Sequence, residues 1–224
     1  VRLVNRCVAA ALPRALSRGL ACGLLFCLAV QSTASTDSSE AQAAEDLVFT
    51  VYYEGFTEEL AEQLTPAGAR HLVDVLRAGD EPRFHSNIVL ALGMSGCDQA
   101  FETLAWYGRD DAEPVESGVY RARIAVPVAM GYLARSDDRA NAWLVRRARE
   151  GVHAPAWSLA GRPSAGLADT MRSQVMNGLA VSGRDDAAAL LEQLATDGAD
   201  RAAGAALEWM QRVRAEAASS GTTR

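Results

Sequence analysis

Cysteine, histidine, paired aspartates and clustered aromatics are the residues of this chain with types suited to chemistry. Cys97 stands at the start of a predicted helix, where the backbone dipole lowers a thiol's pKa and raises its reactivity. It also occupies the variable position of an interhelix turn where related segments carry Asp137 and Arg184, and so reads as a bystander. His71, His85 and His153 have no partner at metal-ligand spacing, and the first two fall on the polar edges of predicted helices as solvated or packing residues. The pairs Asp110-Asp111, Asp137-Asp138 and Asp185-Asp186 fall short of the oxygen count calcium requires; the last two read as helix caps. There is no G-x-S-x-G and no H-E-x-x-H, and a chain without lysine has no Walker-type phosphate loop. The sequence therefore names no catalytic residue, no metal ligand and no cofactor.

The aromatics point elsewhere. Trp106 and Tyr107 close one predicted helix, Trp143 lies in a matching helix, Trp157 falls in a long loop, and Trp209 is in the last helix. Trp143 and Trp209 read as core. Trp157, flanked by proline, serine and glycine, has no apolar stripe to join, and long loops in compact domains often carry function. Trp106, Tyr107 and Trp157, with Arg146 and Arg147 on the helix next to that loop, are the candidate partner-contacting residues.

Helices must position these side chains. Aromatics make up only 6% of the chain while alanine and leucine abound, which suits closely packed helices better than sheets. Thr65-Pro66 is a helix start, with a side-chain cap followed by a residue preset for the first turn. The helix carries Leu72, Val73, Val75 and Leu76 and ends at Gly79. The segment Ser86–Tyr107 then reads as two helices broken at Gly93–Gly96. Relatives of it recur at Ile124–Leu144 and Val175–Leu191. Aligning Ala91-Leu92-Gly93 with Ala129-Met130-Gly131 gives a spacing of 38, and the next step to Gly178-Leu179-Ala180 gives 49. After each break come an aspartate, an alanine two residues on and a leucine four beyond: Asp98/Ala100/Leu104, Asp138/Ala140/Leu144 and Asp185/Ala187/Leu191. The expected roles are cap, close contact and core. One such hairpin cannot bury its own apolar face, so copies must stack.

This pattern resembles the HEAT-repeat family, including the bacterial HEAT-like repeats grouped with phycobilin lyases, over roughly Thr65–Val213. Pro127, within the first helix of the second copy, fits the proline-kinked helices of that family. The resemblance implies an all-α fold, a short right-handed α-solenoid of stacked helical hairpins, and a noncatalytic scaffold that binds a protein or peptide on the face lined by the second helices. It also carries an alternative: a bilin-lyase-like enzyme or small-ligand carrier using Cys97 or the Gly151–Ala168 loop. That loop accounts for the longer second spacing.

Flanking segments complete the organisation. Residues 1–18 hold four arginines and no acid, Gly19–Val30 is uncharged and mostly apolar, and small polar residues follow. These are the marks of a secretory signal peptide over 1–34, with periplasmic or secreted localisation expected. Its removal leaves Cys97 as the lone cysteine and 18 arginines against 28 acids, a formal charge of −10. That balance argues against nucleic acid or an anionic membrane as partner. Residues 35–64 read as a flexible lead-in with a short strand, extended piece or helical turn at Leu47–Tyr53. Residues 65–217 form the helical domain, expected as a monomer. Arg201–Val213 is a capping helix with Ala206, Leu207, Met210 and Val213 inward, and 218–224 is the end of a frayed tail beginning near Ala215.

Overall fold

The computed structural model describes residues 37–51, 55–109, 114–150, 158–159, 166–197 and 200–221. Nearly all of these lie in one compact unit, Ser39–Arg224; a separate unit, Val1–Ser38, contributes only 37–38. The expected signal segment at 1–34 is outside the described residues.

The described chain is predominantly helical. α1 (37–48) is followed by the short α2 (Glu58–Ala61), α3 (Pro66–Ala78), α4 (His85–Ser95) and α5 (Ala100–Tyr107). Then come α6 (Ser117–Leu133), α7 (Asp138–Glu150), α8 (Leu167–Ser182), α9 (Asp185–Asp197) and α10 (Arg201–Gly221). Two residue pairs form a parallel bridge, β1 (Pro114–Val115) with β2 (Ser158–Leu159), in register Pro114↔Ser158 and Val115↔Leu159. The bridge ties the start of α6 to part of the long loop that follows α7.

Local chemistry explains the helix boundaries. Thr65 has extended backbone, its hydroxyl accepts from the Gly68 N–H at 3.1 Å, and Pro66 opens α3. The breaks after α3, α4 and α8 fall at Gly79, Gly96 and Gly183, all with positive φ, a conformation that costs glycine little and other residues more. The expected aspartate caps shift by one residue or vanish. Asp98 does not cap α5. Asp137, rather than Asp138, caps α7 by accepting from the Arg139 N–H at 2.8 Å. Asp186 accepts from the Ala187 N–H at 3.0 Å, while Asp185 pairs with Arg214.

α4, α6 and α8 pack side by side through the middle of the unit, and α10 closes on α8 and α9. The central contacts are backbone to backbone. A Cβ on Gly93 of α4 would lie 2.4 Å from the carbonyl oxygen of Ala129 on α6, and one on Gly131 would lie 2.3 Å from that of Gly178 on α8. Ala129 and Gly178 are themselves equivalent under the 49-residue step, so the same close contact is made at both interfaces. Arginines repeat the pattern at the turns. Arg184 donates to the Ala134 carbonyl at 3.3 Å and pairs with Asp138 at 2.8 Å. Arg214 donates to the Gly183 carbonyl at 2.6 Å and pairs with Asp185 at 2.9 Å. The core fills around these contacts with Leu92, Leu104, Met130, Leu144, Leu179 and Leu191, all fully buried.

Several expectations are corrected. The lead-in is helical from residue 37, and Ala44 and Val48 are buried. Of the readings open for Leu47–Tyr53, the helical one holds for Leu47 and Val48, which end that helix, and no strand occurs among the described residues of the segment. The last helix does not fray at Ala215 but continues to Gly221. Val213, expected inward, is exposed.

Candidate functional site

The outer ends of α5 and α7 carry the aromatic and arginine residues singled out from the sequence. Trp106 is 40% exposed, with the Arg109 guanidinium over its ring at 4.7 Å. Arg146 is exposed. Arg147 is half-buried and lies 5.1 Å over the ring of Trp143, which is buried as expected. The two helices meet at their starts, where Arg139 pairs with Glu102 at 3.2 Å and lies over the Phe101 ring at 4.7 Å. Arg139 also holds the Asp137 carboxyl below the ordinary carboxylate range by hydrogen bonding. No hydrogen bond or ring contact joins Trp106 to Arg146 or Arg147 among the described residues. Trp157 falls outside the described residues.

Tyr107, expected at a contact surface, lies inside at 5% exposure. Its hydroxyl is 2.7 Å from Nδ1 of His85, whose Nε2 is 2.7 Å from the carbonyl oxygen of Asp80. A carbonyl only accepts, so Nε2 carries the proton and Nδ1 accepts from the tyrosine. His85 is 1% exposed, which corrects its placement on a polar edge. Burial holds its pKa below the ordinary imidazole value, against the opposing Asp80 carbonyl bond and the charges of Glu116 and Asp80. Burial likewise raises the Tyr107 phenol, despite the nearby Arg123 guanidinium. With both ring nitrogens engaged in packing, this pair is a structural device joining α4 to α5. His71, half-buried, pairs with Glu45 of α1 at 2.7 Å.

Cys97 lines a 320 Å³ cleft between the start of α3 and the α4–α5 turn, with Thr65, Arg70, Ser95 and Asp98. The thiol is half-buried against the core, and the described lining contains no histidine to act as its base. No group of three or more His, Cys, Asp or Glu among the described residues is arranged to hold a metal ion.

A second surface escaped the sequence reading. Val128 of α6, Asn177 and Val181 of α8 and Trp209 of α10 line a 360 Å³ groove on the face formed by the first helices. Trp209, expected in the core, is 40% exposed. Burial of Ala203, Ala206 and Met210 defines the inner stripe of α10, and 209 falls outside it. The available signal was a stripe too wide: Ala206, Leu207, Met210, Val213 and Trp209 cannot all face one neighbour.

No family model matches the chain, and no curated protein or solved structure matches it.

Proposed function

We propose that this chain is a noncatalytic binding module: a short α-solenoid of HEAT-like hairpins, exported to the bacterial cell envelope, that holds a protein or peptide partner on a helical face. The observation that carries the binding reading is the pair of tryptophans, Trp106 and Trp209, each left 40% exposed. Exposed tryptophan is a common anchor of binding energy, because it offers a large rigid apolar surface at little entropic cost. The solenoid reading is supported by the repeated contacts of Gly93 with Ala129 and Gly131 with Gly178, and by the repeated arginine bonds of Arg184 and Arg214. Export is supported by the basic, apolar and small-residue order of the first 34 residues.

The test is affinity capture of the full chain expressed in its own cells, with the envelope fraction compared between wild type and a Trp106→Ala/Trp209→Ala double variant. A partner recovered with wild type and lost with the variant supports the reading. Failure to recover any specific protein contradicts it.

A second reading, a bilin-lyase-like enzyme or small-ligand carrier, draws on the 320 Å³ cleft beside Cys97. A Cys97→Ala chain that retains all activity and ligand content removes the thiol version of it.

A further inference from the structure

The chain already lays a strap of its own, the end of α1 and the described residues between it and α2, on the first-helix face. At the end of α1, the Asn87 amide of α4 donates to the backbone carbonyls of Val48 at 2.8 Å and Thr50 at 3.1 Å. Phe49 stacks on Phe84 with ring centroids 5.1 Å apart. Further along, Phe56 is buried and α2 packs on α4. Glu58 closes this strap on the neighbouring helix by pairing with Arg135 at 2.7 Å, and Arg135 also donates to the Val181 carbonyl of α8 at 3.1 Å. The recognition is generic: a side-chain amide reads backbone carbonyls and aromatic side chains supply the anchors.

Beyond Arg135 the same face continues as an open groove among the described residues. Under the spacings of 38 and 49, Leu90 of α4 corresponds to Val128 of α6 and Asn177 of α8, and Met94 corresponds to Tyr132 and Val181. Val128, Asn177 and Val181, with Trp209, line the 360 Å³ groove. The exposed Asn177 side chain makes no hydrogen bond to another described residue. The groove thus offers a similar pair of elements, a first-helix amide and an aromatic wall, although Asn177 stands nearly one helical turn beyond Gln174, the position equivalent to Asn87.

We propose that this groove binds an extended peptide segment of a partner protein, with one large apolar side chain against Trp209 between Val128 and Val181, and with the Asn177 amide on the peptide backbone. The inference rests on the binding-module reading and names its site and the class of its partner. A peptide suits the groove better than a second copy of the chain. Trp209 and Val213 each expose 40% of their surface, and with the flanking valines they offer on the order of 200 Å² of apolar area, against the roughly 800 Å² per partner of a stable interface. A free amide serves an incoming backbone, whereas a flat apolar contact leaves it unused.

The experiment selects a displayed library of random 12-residue peptides on the full chain and measures the affinity of the selected peptides for variants. We expect peptides sharing one large aliphatic or aromatic residue, with Trp209→Ala weakening them on the order of tenfold or more and Asn177→Ala weakening them several-fold. Val128→Glu, which blocks the groove from a different helix, abolishes binding; circular dichroism melting checks that each variant folds. Peptides that lose affinity on Trp106→Ala and not on Trp209→Ala overturn the groove assignment and leave the binding-module reading intact. Self-association that depends on concentration and disappears with Trp209→Ala overturns the peptide occupant in favour of a second copy. A selection that yields no binding peptide overturns this proposal, while the capture experiment above judges the broader reading separately.

Discussion

Gly131 of α6 approaches Gly178 of α8 so closely that a Cβ on the former would lie 2.3 Å from the carbonyl oxygen of the latter. The obstacle is backbone, which cannot swing aside as a side-chain end can. Gly131→Ala is therefore expected to push α6 and α8 apart and to lower stability by about 1–3 kcal/mol. Gly204 of α10 supplies the opposite sign. Its nearest neighbour to an added Cβ is Ala195 at 3.9 Å, so Gly204→Ala should raise stability by up to about 1 kcal/mol through helix propensity. Urea unfolding of both variants checks the pair; equal effects would contradict the packing described.

The His85–Tyr107 bond gives a pH dependence with a definite sign. The folded-state pKa of His85 is lowered by burial, so the unfolded chain binds more protons at acidic pH. Stability from this group is full above the unfolded imidazole value of about 6.5. It declines as pH falls below that value toward the lowered folded pKa, by at most about 1.4 kcal/mol per pH unit. Urea unfolding between pH 7.5 and 5.5 measures the slope, which His85→Asn should flatten. Tyr107→Phe removes the donor to a buried nitrogen and should cost about 1–3 kcal/mol at neutral pH.

Asp200 starts the last helix. Its carboxylate accepts from the backbone N–H of Ala202 at 2.9 Å and of Ala203 at 3.3 Å, and the Arg172 guanidinium pairs with it. Asp200→Ala should cost about 1–2 kcal/mol as a lost cap and speed amide exchange along the first turn of α10. Asp185, whose side chain is almost entirely in water, should leave the melting temperature unmoved when changed to alanine, because an exposed ion pair is screened by solvent.

Parts of this architecture are legible in the sequence because their causes are local. Thr65-Pro66 and Gly79 bound α3 through capping and positive φ, and these depend only on neighbouring residues. Gly96 and Gly183 end α4 and α8 for the same reason. The 38- and 49-residue spacings bring Gly93 and Gly131 to equivalent contacts because close backbone approach admits little but glycine. What failed depends on distant partners. α1 contains few large apolar residues, and its burial comes from Ala44 and Val48 meeting the rest of the unit. His85 and Tyr107 are 22 residues apart and meet only across the hairpin. The aspartates after the breaks read as caps, yet Asp138 and Asp185 serve arginines from a following turn or helix. Of the candidate contact residues, Trp106 and Arg146 lie outside, Tyr107 lies inside, and the groove at Trp209 depends on three helices that only the fold assembles.

The most direct measurement of the binding reading is photocrosslinking in intact cells, with a benzophenone amino acid placed at Trp106 in one chain and at Asn177 in another. We expect a discrete adduct with one specific protein from at least one of these positions, suppressed when the unlabelled chain is supplied in excess. Chains that are folded and correctly located but give no specific adduct at either position would contradict the reading of this protein as a binding module.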